Sequence, residues 1–440
     1  MRPHLHAVRG PHHRRAESRG RDRRAPDAAH DAGTREGPPV TATTPAPQTG
    51  VLQRASRFLA GQLRQIGLFI ALIVIVVFFE VATQGITLKP INVSNLVVQN
   101  SYILILAIGM VMVIIAGHID LSVGSVVAFT GAMAGVMITK WGIPWPVAAV
   151  LCLVLGALIG CWQGFWIAYF KIPAFIVTLA GMLTFRGLTQ ITLQNQQISP
   201  FPDGFRAIGS GFLPDLGGGV SFVEPLTIVL GVLSAVALIA AGIRGRLVRR
   251  RYNVEDEPMP WFVAKTAFTT VLILLVAFLL ASYRGTPIVL IILAVLVVAY
   301  SAVMARSVFG RHIYAIGGNL NAAALSGVKT QRVTFLLFVN MGVLSALAGL
   351  VFTAQLNLAN PKAGDGFELD AIAAVFIGGA AVTGGIGRVT GAIIGGLIIG
   401  ILNNGMSILG VGTEFQSLIK GLVLLAAVAF DVYNKRRSGK

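Results

Sequence analysis

The stretch Val147–Phe170 reads VAAVLCLVLGALIGCWQGFWIAYF and contains no charged side chain. A helix of about 20 apolar residues crosses the roughly 30 Å hydrocarbon core of a bilayer, so this stretch predicts a transmembrane helix. Similar apolar runs recur before and after it. Together they predict an all-α polytopic membrane protein with about 12 transmembrane helices.

The composition of the whole chain agrees with this fold class. The 440 residues are 55% hydrophobic and only 12% charged, whereas soluble domains carry about 25% charged residues. A soluble multidomain enzyme is therefore excluded. The 51 glycines suit helices that pack backbone to backbone in lipid.

The basic residues predict an orientation in the membrane. A formal net charge of +17 would suggest a nucleic-acid partner in a soluble protein. Here the Arg and Lys residues concentrate in an N-terminal tail and in alternate short loops, notably Arg244–Arg251, residues 306–332 and Arg388. The positive-inside rule then places both termini in the cytoplasm, and no nucleic-acid partner is expected.

The same patterns divide the chain into two parts. Residues 1–64 are rich in Arg and Pro and predict a disordered cytoplasmic tail. Residues 65–437 predict the transmembrane domain, with a polar extracytoplasmic loop at 193–224 and a hydrophilic cytoplasmic loop at 306–332. The segments Asp120–Ile138 and Leu369–Leu409 are short or broken by glycines. In transporters, broken helices often lie next to the substrate path.

The chain shows no energy source of its own. It contains no Gly-x4-Gly-Lys-Ser/Thr phosphate loop and no Cys/His cluster with metal spacing. We therefore expect no cofactor and no metal. Ionisable residues are scarce within the apolar runs, which argues against proton coupling. An ion-coupled secondary carrier and a passive channel remain the alternatives to a protein driven by a partner.

Three motifs resemble those of a known family. Gly117–Ser125 (GHIDLSVGS) is similar to the Gly-x-x-Asp-Leu-Ser-x-Gly-Ser signature of sugar ABC importer permeases of the branched-chain amino acid/ribose/xylose type. Ala315–Val328 (AIGGNLNAAALSGV) and Asn403–Val411 (NNGMSILGV) resemble the same family. The C-terminal run Leu422–Lys435 looks most like its D-xylose members, and the resemblance covers about residues 60–437.

The resemblance implies a type II ABC importer-like bundle in the bacterial cytoplasmic membrane. The implied partners are an ATP-binding subunit, an extracytoplasmic sugar-binding protein, a second permease copy in a homodimer and the lipid bilayer. The implied candidates for the transport pathway are Asp120, Ser122, Gly124, Ser125, Asn403 and Asn404. The implied candidates for ATPase coupling are Gly317, Asn319, Ala323, Leu325, Ser326 and Gly327.

Two of these interpretations have plain structural alternatives. The pattern predicts a short helix at Asn321–Val328, capped by Asn319 or Asn321, that docks on the ATPase; alternatively, the stretch is only a connecting loop. Asp120 either belongs to the pathway or merely caps a helix that starts at Leu121. In both cases the Ser122 and Ser125 hydroxyls and nearby backbone N–H groups are its expected partners.

Overall fold

The computed structural model describes residues 51–215, 223–252 and 258–437. These described residues form sixteen α-helices. Their bounds are α1 Val51–Ala82, α2 Pro90–Gln99, α3 Ser101–Ile115, α4 Val123–Gly135, α5 Trp145–Ala168, α6 Ala174–Leu193, α7 Asp203–Ser210, α8 Pro225–Arg251, α9 Met259–Ala281, α10 Ile288–Arg306, α11 Val308–Gly318, α12 Leu320–Leu325, α13 Thr330–Leu356, α14 Phe367–Ile377, α15 Val389–Ile408 and α16 Thr413–Arg437. Of the tail predicted at 1–64, residues 1–50 lie outside the described residues, and α1 begins at Val51.

The number of helices that can cross a membrane is lower than the sequence predicts. Among the described residues, eight helices are long and apolar enough to do so: α4 with the π-helical turn that extends it to Lys140, then α5, α6, α8, α9, α10, α13 and α15. The bent pair α2–α3 makes a ninth. The predicted count of about 12 is not confirmed. The three further predicted crossings correspond to α1, α14 and α16.

The apolar run at 96–116 forms parts of two helices rather than one. α2 and α3 meet at Asn100 with a bend of 45°. Every residue of α3 is buried, so this helix lies at the centre of the bundle. A helix that is apolar on all sides and surrounded by protein has no lipid-facing stripe.

Small residues allow the central helices to touch. Gly156 and Gly160 of α5 pack against the backbone of α13 at Gly342 and Phe338, and a Cβ at either glycine would collide with a main-chain oxygen. In the same way, Gly395 of α15 packs against the backbone at the end of α14. The small-xxx-small spacing in α15 therefore serves helix packing, as the sequence predicts.

The connecting segments gather on two opposite faces of the bundle. On one face, the Ile115 carbonyl accepts the Gly385 N–H at 2.8 Å and also contacts Gly317. On the other, Ile198 and Ala359 exchange backbone hydrogen bonds of 3.1 and 3.0 Å. We name the first the basic face; it holds residues 117–119, 171–173, 306–332 and 384–388. We name the second the opposite face; it holds residues 141–144, 194–215, 282–287 and 357–360.

Candidate functional site

The segment between α3 and α4 carries Asp120, which is only 2% exposed. Its carboxylate accepts hydrogen bonds from the Ser122 N–H at 2.8 Å and the Ser122 hydroxyl at 2.6 Å. The Gln163 amide of α5 donates in turn to the Ser122 hydroxyl at 2.7 Å. A buried carboxylate is costly unless it is hydrogen-bonded, so Ser122 and Gln163 stabilise Asp120 where α3, α4 and α5 meet.

Asp120 is not the cap of the helix that follows it. The sequence predicts a helix from Leu121, but α4 begins at Val123 and Ser122 is its N-cap residue. Asp120 lies two residues earlier and closes a local turn through the Ser122 N–H. The prediction that Ser122 partners Asp120 is confirmed. Ser125 is fully buried, and its hydroxyl has no hydrogen-bond partner among the described residues.

Gly124 marks a close approach between α4 and the segment before α14. A Cβ at Gly124 would collide with the Gly364 carbonyl oxygen and with the Glu368 carboxylate. Gly364 itself has a φ of +70°, which favours glycine, and a Cβ there would strike the Gly124 carbonyl. These two glycines let non-helical backbone reach the side of a transmembrane helix.

The two asparagines of the third motif lie in α15 and contact other helices. Asn404 and Asn92 of α2 exchange amide hydrogen bonds of 2.8 and 3.0 Å, and both side chains are buried. Asn92 also donates to the Thr87 carbonyl at 2.9 Å. The Asn403 amide oxygen has no hydrogen-bond partner among the described residues. Asn404 therefore joins α15 to α2, while the Asp120 group joins α4 to α5.

Two ion pairs join distant segments, and the sequence analysis predicts neither. Arg186 of α6 lies 3.7 Å from Asp365. Lys420 of α16 lies 2.9 Å from Asp370 of α14. Arg186 is the single charged residue of α6, and the partner of neither basic residue can be read from the sequence.

The residues predicted for coupling lie on the basic face. α12 is a six-residue helix, Leu320–Leu325, which is shorter than the predicted Asn321–Val328. Asn319 is its N-cap residue, and its side-chain oxygen accepts the Ala322 N–H at 2.9 Å. The capping prediction is therefore confirmed for Asn319. Gly327 follows in a left-handed turn with a φ of +85° and open space around it.

The outer surface of this short helix is apolar and uncovered. The Leu325 side chain is 90% exposed, whereas Ala323 on the other side of the helix is buried. Ser326 is exposed, and its hydroxyl donates to the Ala322 carbonyl at 2.8 Å. Asn319, Ala323 and Ser326 thus hold the helix in place, while Leu325 points away from the described part of the chain.

The helix rests on the bundle through α11. Gly317 packs against the Ile115 carbonyl so closely that no side chain fits. The Tyr314 hydroxyl donates to the Gly387 carbonyl at 2.8 Å. Burial raises the pKa of Tyr314 above its usual value, and Arg388 partly opposes this shift, so the phenol remains a neutral donor. α11 therefore joins α12 to α3 and to the turn before α15.

A cleft opens beside α12 on the basic face. Residues from three parts of the chain line this cleft: Gly117 and His118, then Lys171, and finally Asn321 and Gln331. Ile119, the residue before Asp120, also lines the cleft, and its carbonyl accepts a 3.4 Å hydrogen bond from the Thr178 hydroxyl of α6. The first and second motifs, about 200 residues apart in sequence, thus form one region at this face.

Comparison with known proteins finds one matching family, described as the branched-chain amino acid transport system / permease component, over residues 92–428. The xylose transport system permease protein XylH of Haemophilus influenzae is 42% identical over 370 residues, which is 84% of this chain and 96% of that protein. XylH of Escherichia coli K12 is 41% identical over 84% of this chain and 91% of its own. The ribose import permease protein RbsC of Bacillus subtilis is 34% identical, over 84% and 94% respectively. No solved structure matches the chain.

Proposed function

The chain belongs to the branched-chain amino acid transport system / permease component family, and on that premise we propose that it is the permease subunit of an ATP-binding-cassette importer for a monosaccharide. D-xylose is the first candidate substrate. The observation that carries this proposal is the identity of 41–42% to two XylH xylose permeases over 84% of the chain. The lower identity of 34% to a ribose permease makes ribose the second candidate.

The proposed pathway follows the interruptions in the bundle. Inside the bundle, α3 ends and both α4 and α14 begin. Non-helical backbone at membrane depth is tolerated only against protein or a water-filled cavity. We assign the pathway to the Asp120–Ser125 segment, with Asn403 and Asn404 stabilising the neighbouring helices. When a pair of helices moves relative to these interruptions, the access of substrate to the interruptions changes, while the secondary structure stays the same.

The proposed coupling element is α12. Its exposed Leu325 offers an apolar contact for a groove on an ATP-binding subunit, and Gly317 fixes α11 to the centre of the bundle. Residues 306–332 are the coupling loop in this proposal, and the chain alone hydrolyses no ATP. A sugar-binding protein docks on the opposite face, where residues 193–224 lie, and a second permease copy completes the complex.

The proposed topology has about 12 crossings, with α1, α14 and α16 added to the nine spans described above. The basic face then lies in the cytoplasm, with both termini and the 1–64 tail, because short loops rich in Arg and Lys remain on that side. A cysteine at Gly50 that resists an impermeant thiol reagent in intact cells supports this orientation. Ready labelling at that position contradicts it.

Sugar uptake into proteoliposomes tests the function. The permease is reconstituted with its ATP-binding subunit and a panel of monosaccharide-binding proteins, and uptake of labelled xylose, ribose and arabinose is measured with and without ATP. We expect uptake that needs ATP and one binding protein. Uptake driven by a proton gradient without ATP indicates an ion-coupled carrier, and uptake that only equilibrates the sugar indicates a passive channel.

A further inference from the structure

A charged side chain lies deep within α6. Arg186 lies seven residues before Leu193, the last residue of the helix, which is about 10 Å from that end at the helical rise. Long basic side chains near helix ends normally extend toward water at the membrane surface. Arg186 instead donates to the Ala363 carbonyl at 2.5 Å and lies 3.7 Å from the Asp365 carboxylate. It is thus held inside the bundle.

The partner of Arg186 cannot face lipid. The Asp365 side chain is 88% exposed in the chain, and an exposed carboxylate in hydrocarbon is strongly unfavourable. Asp365 also belongs to the non-helical segment that precedes α14, and its neighbours Gly364 and Gly366 have φ values of +70° and +76°. Such backbone is tolerated at membrane depth only against protein or water. Asp365 therefore faces water or another protein chain.

A second carboxylate completes this group. Glu368 lies in the first turn of α14 and reaches the backbone of Gly124, where the missing side chain leaves room for it. One of its carboxylate oxygens is buried and has no hydrogen-bond partner among the described residues. A buried acceptor of this kind costs free energy unless a ligand or water satisfies it. Glu368 therefore has an acceptor available for water or for a ligand that carries hydrogen-bond donors.

We infer that Arg186, Asp365 and Glu368 form a polar site within the membrane that binds the sugar hydroxyls during passage. The inference rests on the proposed function. A sugar hydroxyl is both a donor and an acceptor, so a guanidinium and two carboxylates can bind several of them together.

The first test compares two charged residues of the site with an exposed arginine elsewhere in the chain. Arg186→Gln and Glu368→Gln are measured beside Arg250→Gln, because Arg250 is an exposed arginine in the last turn of α8. We expect at least a tenfold loss of sugar uptake for the first two variants and wild-type uptake for the third. ATPase activity stimulated by the sugar-binding protein should persist in all three, together with a changed ratio of xylose to ribose uptake for Glu368→Gln.

The second test measures access by water. With Cys152 and Cys161 replaced by Ala, Asp365→Cys and Leu233→Cys are exposed to a hydrophilic thiol reagent on both sides of the proteoliposomes during ATP turnover. Leu233 is the control because it is exposed at a similar depth on α8. We expect modification of Asp365→Cys alone, and slower modification in saturating sugar. If an Arg186 variant fails to insert into the membrane, this measurement of thiol access tests the proposed site instead.

The outcomes separate this inference from the function on which it rests. If the wild-type complex takes up no monosaccharide, the proposed function is wrong. If the wild-type complex takes up sugar but both glutamine variants equal it, the intramembrane site is wrong and the function stands. Loss of uptake accompanied by loss of stimulated ATPase activity indicates a purely structural role for the ion pair and also overturns the inference, as does an unreactive Asp365→Cys.

Discussion

Replacing Leu325 by Ala tests the coupling role of α12 with little disturbance of the fold. The Leu325 side chain is 90% exposed, so its truncation removes almost no contact within the chain, and exposed substitutions usually change stability by less than about 0.5 kcal/mol. If an ATP-binding subunit covers this side chain, the truncation removes three buried carbon atoms at about 0.8 kcal/mol each. We therefore expect a loss of about 2 kcal/mol in binding free energy, which is roughly a 30-fold rise in Kd.

The assay is a titration of the labelled ATP-binding subunit against the permease in lipid nanodiscs. Leu409→Ala is the matched control, because Leu409 is also an exposed leucine and follows the end of α15 opposite the basic face. The control should bind the ATP-binding subunit with wild-type affinity. Both variants should keep the wild-type melting temperature, which shows that any difference arises at the interface.

Two results of these measurements would refute the coupling role of α12. An unchanged Kd for Leu325→Ala means that α12 is not covered by the ATP-binding subunit, and the stretch is then only a connecting loop. A lowered melting temperature for the same variant means that Leu325 packs within the protein, in contradiction to its exposure.

Three further substitutions test other parts of the structure. The Gly327→Trp variant should insert normally but should lose the ATP-binding subunit on purification. The control Gly142→Trp introduces the same strain, at a φ of +65°, on the opposite face and should retain that subunit. Equal retention by the two variants refutes the assignment of the binding face. Asp120→Ala should lower the melting temperature, because the buried Ser122 N–H loses its acceptor at a cost of about 1–3 kcal/mol. Asp120→Asn should lower it less. A wild-type melting temperature for the alanine variant would show that Asp120 does not stabilise this turn. Asn404→Ala should destabilise by a similar amount, about 1–3 kcal/mol, because it leaves the buried Asn92 amide without its partner; a thermal melt in detergent that matches the wild type would show that water replaces the lost contact.

The apolar runs determined much of the architecture by themselves. A stretch such as Val147–Phe170 has one stable solution in lipid, since only a helix satisfies its backbone hydrogen bonds internally, and α5 fills Trp145–Ala168 almost as predicted. The Asn319 cap was also predictable, because a cap involves residues only three positions apart. The loops at 171–173, 306–332 and 384–388 lie on one face of the bundle, while the side of the membrane that this face meets stays a prediction.

Tertiary structure decided the interactions that join distant segments. Asn92 and Asn404 are separated by 312 positions, Arg186 pairs with Asp365 of a distant segment, and no local pattern encodes either pair. The bend at Asn100 was missed, although the polar residues Gln99, Asn100 and Ser101 interrupt the apolar run there. The two alternatives for Asp120 stay open in the sequence because Asp120 and Ser122 are equally good caps by residue type. In the structure α4 begins after Ser122, and the contact of Ser122 with Gln163 exists only once α4 and α5 have packed.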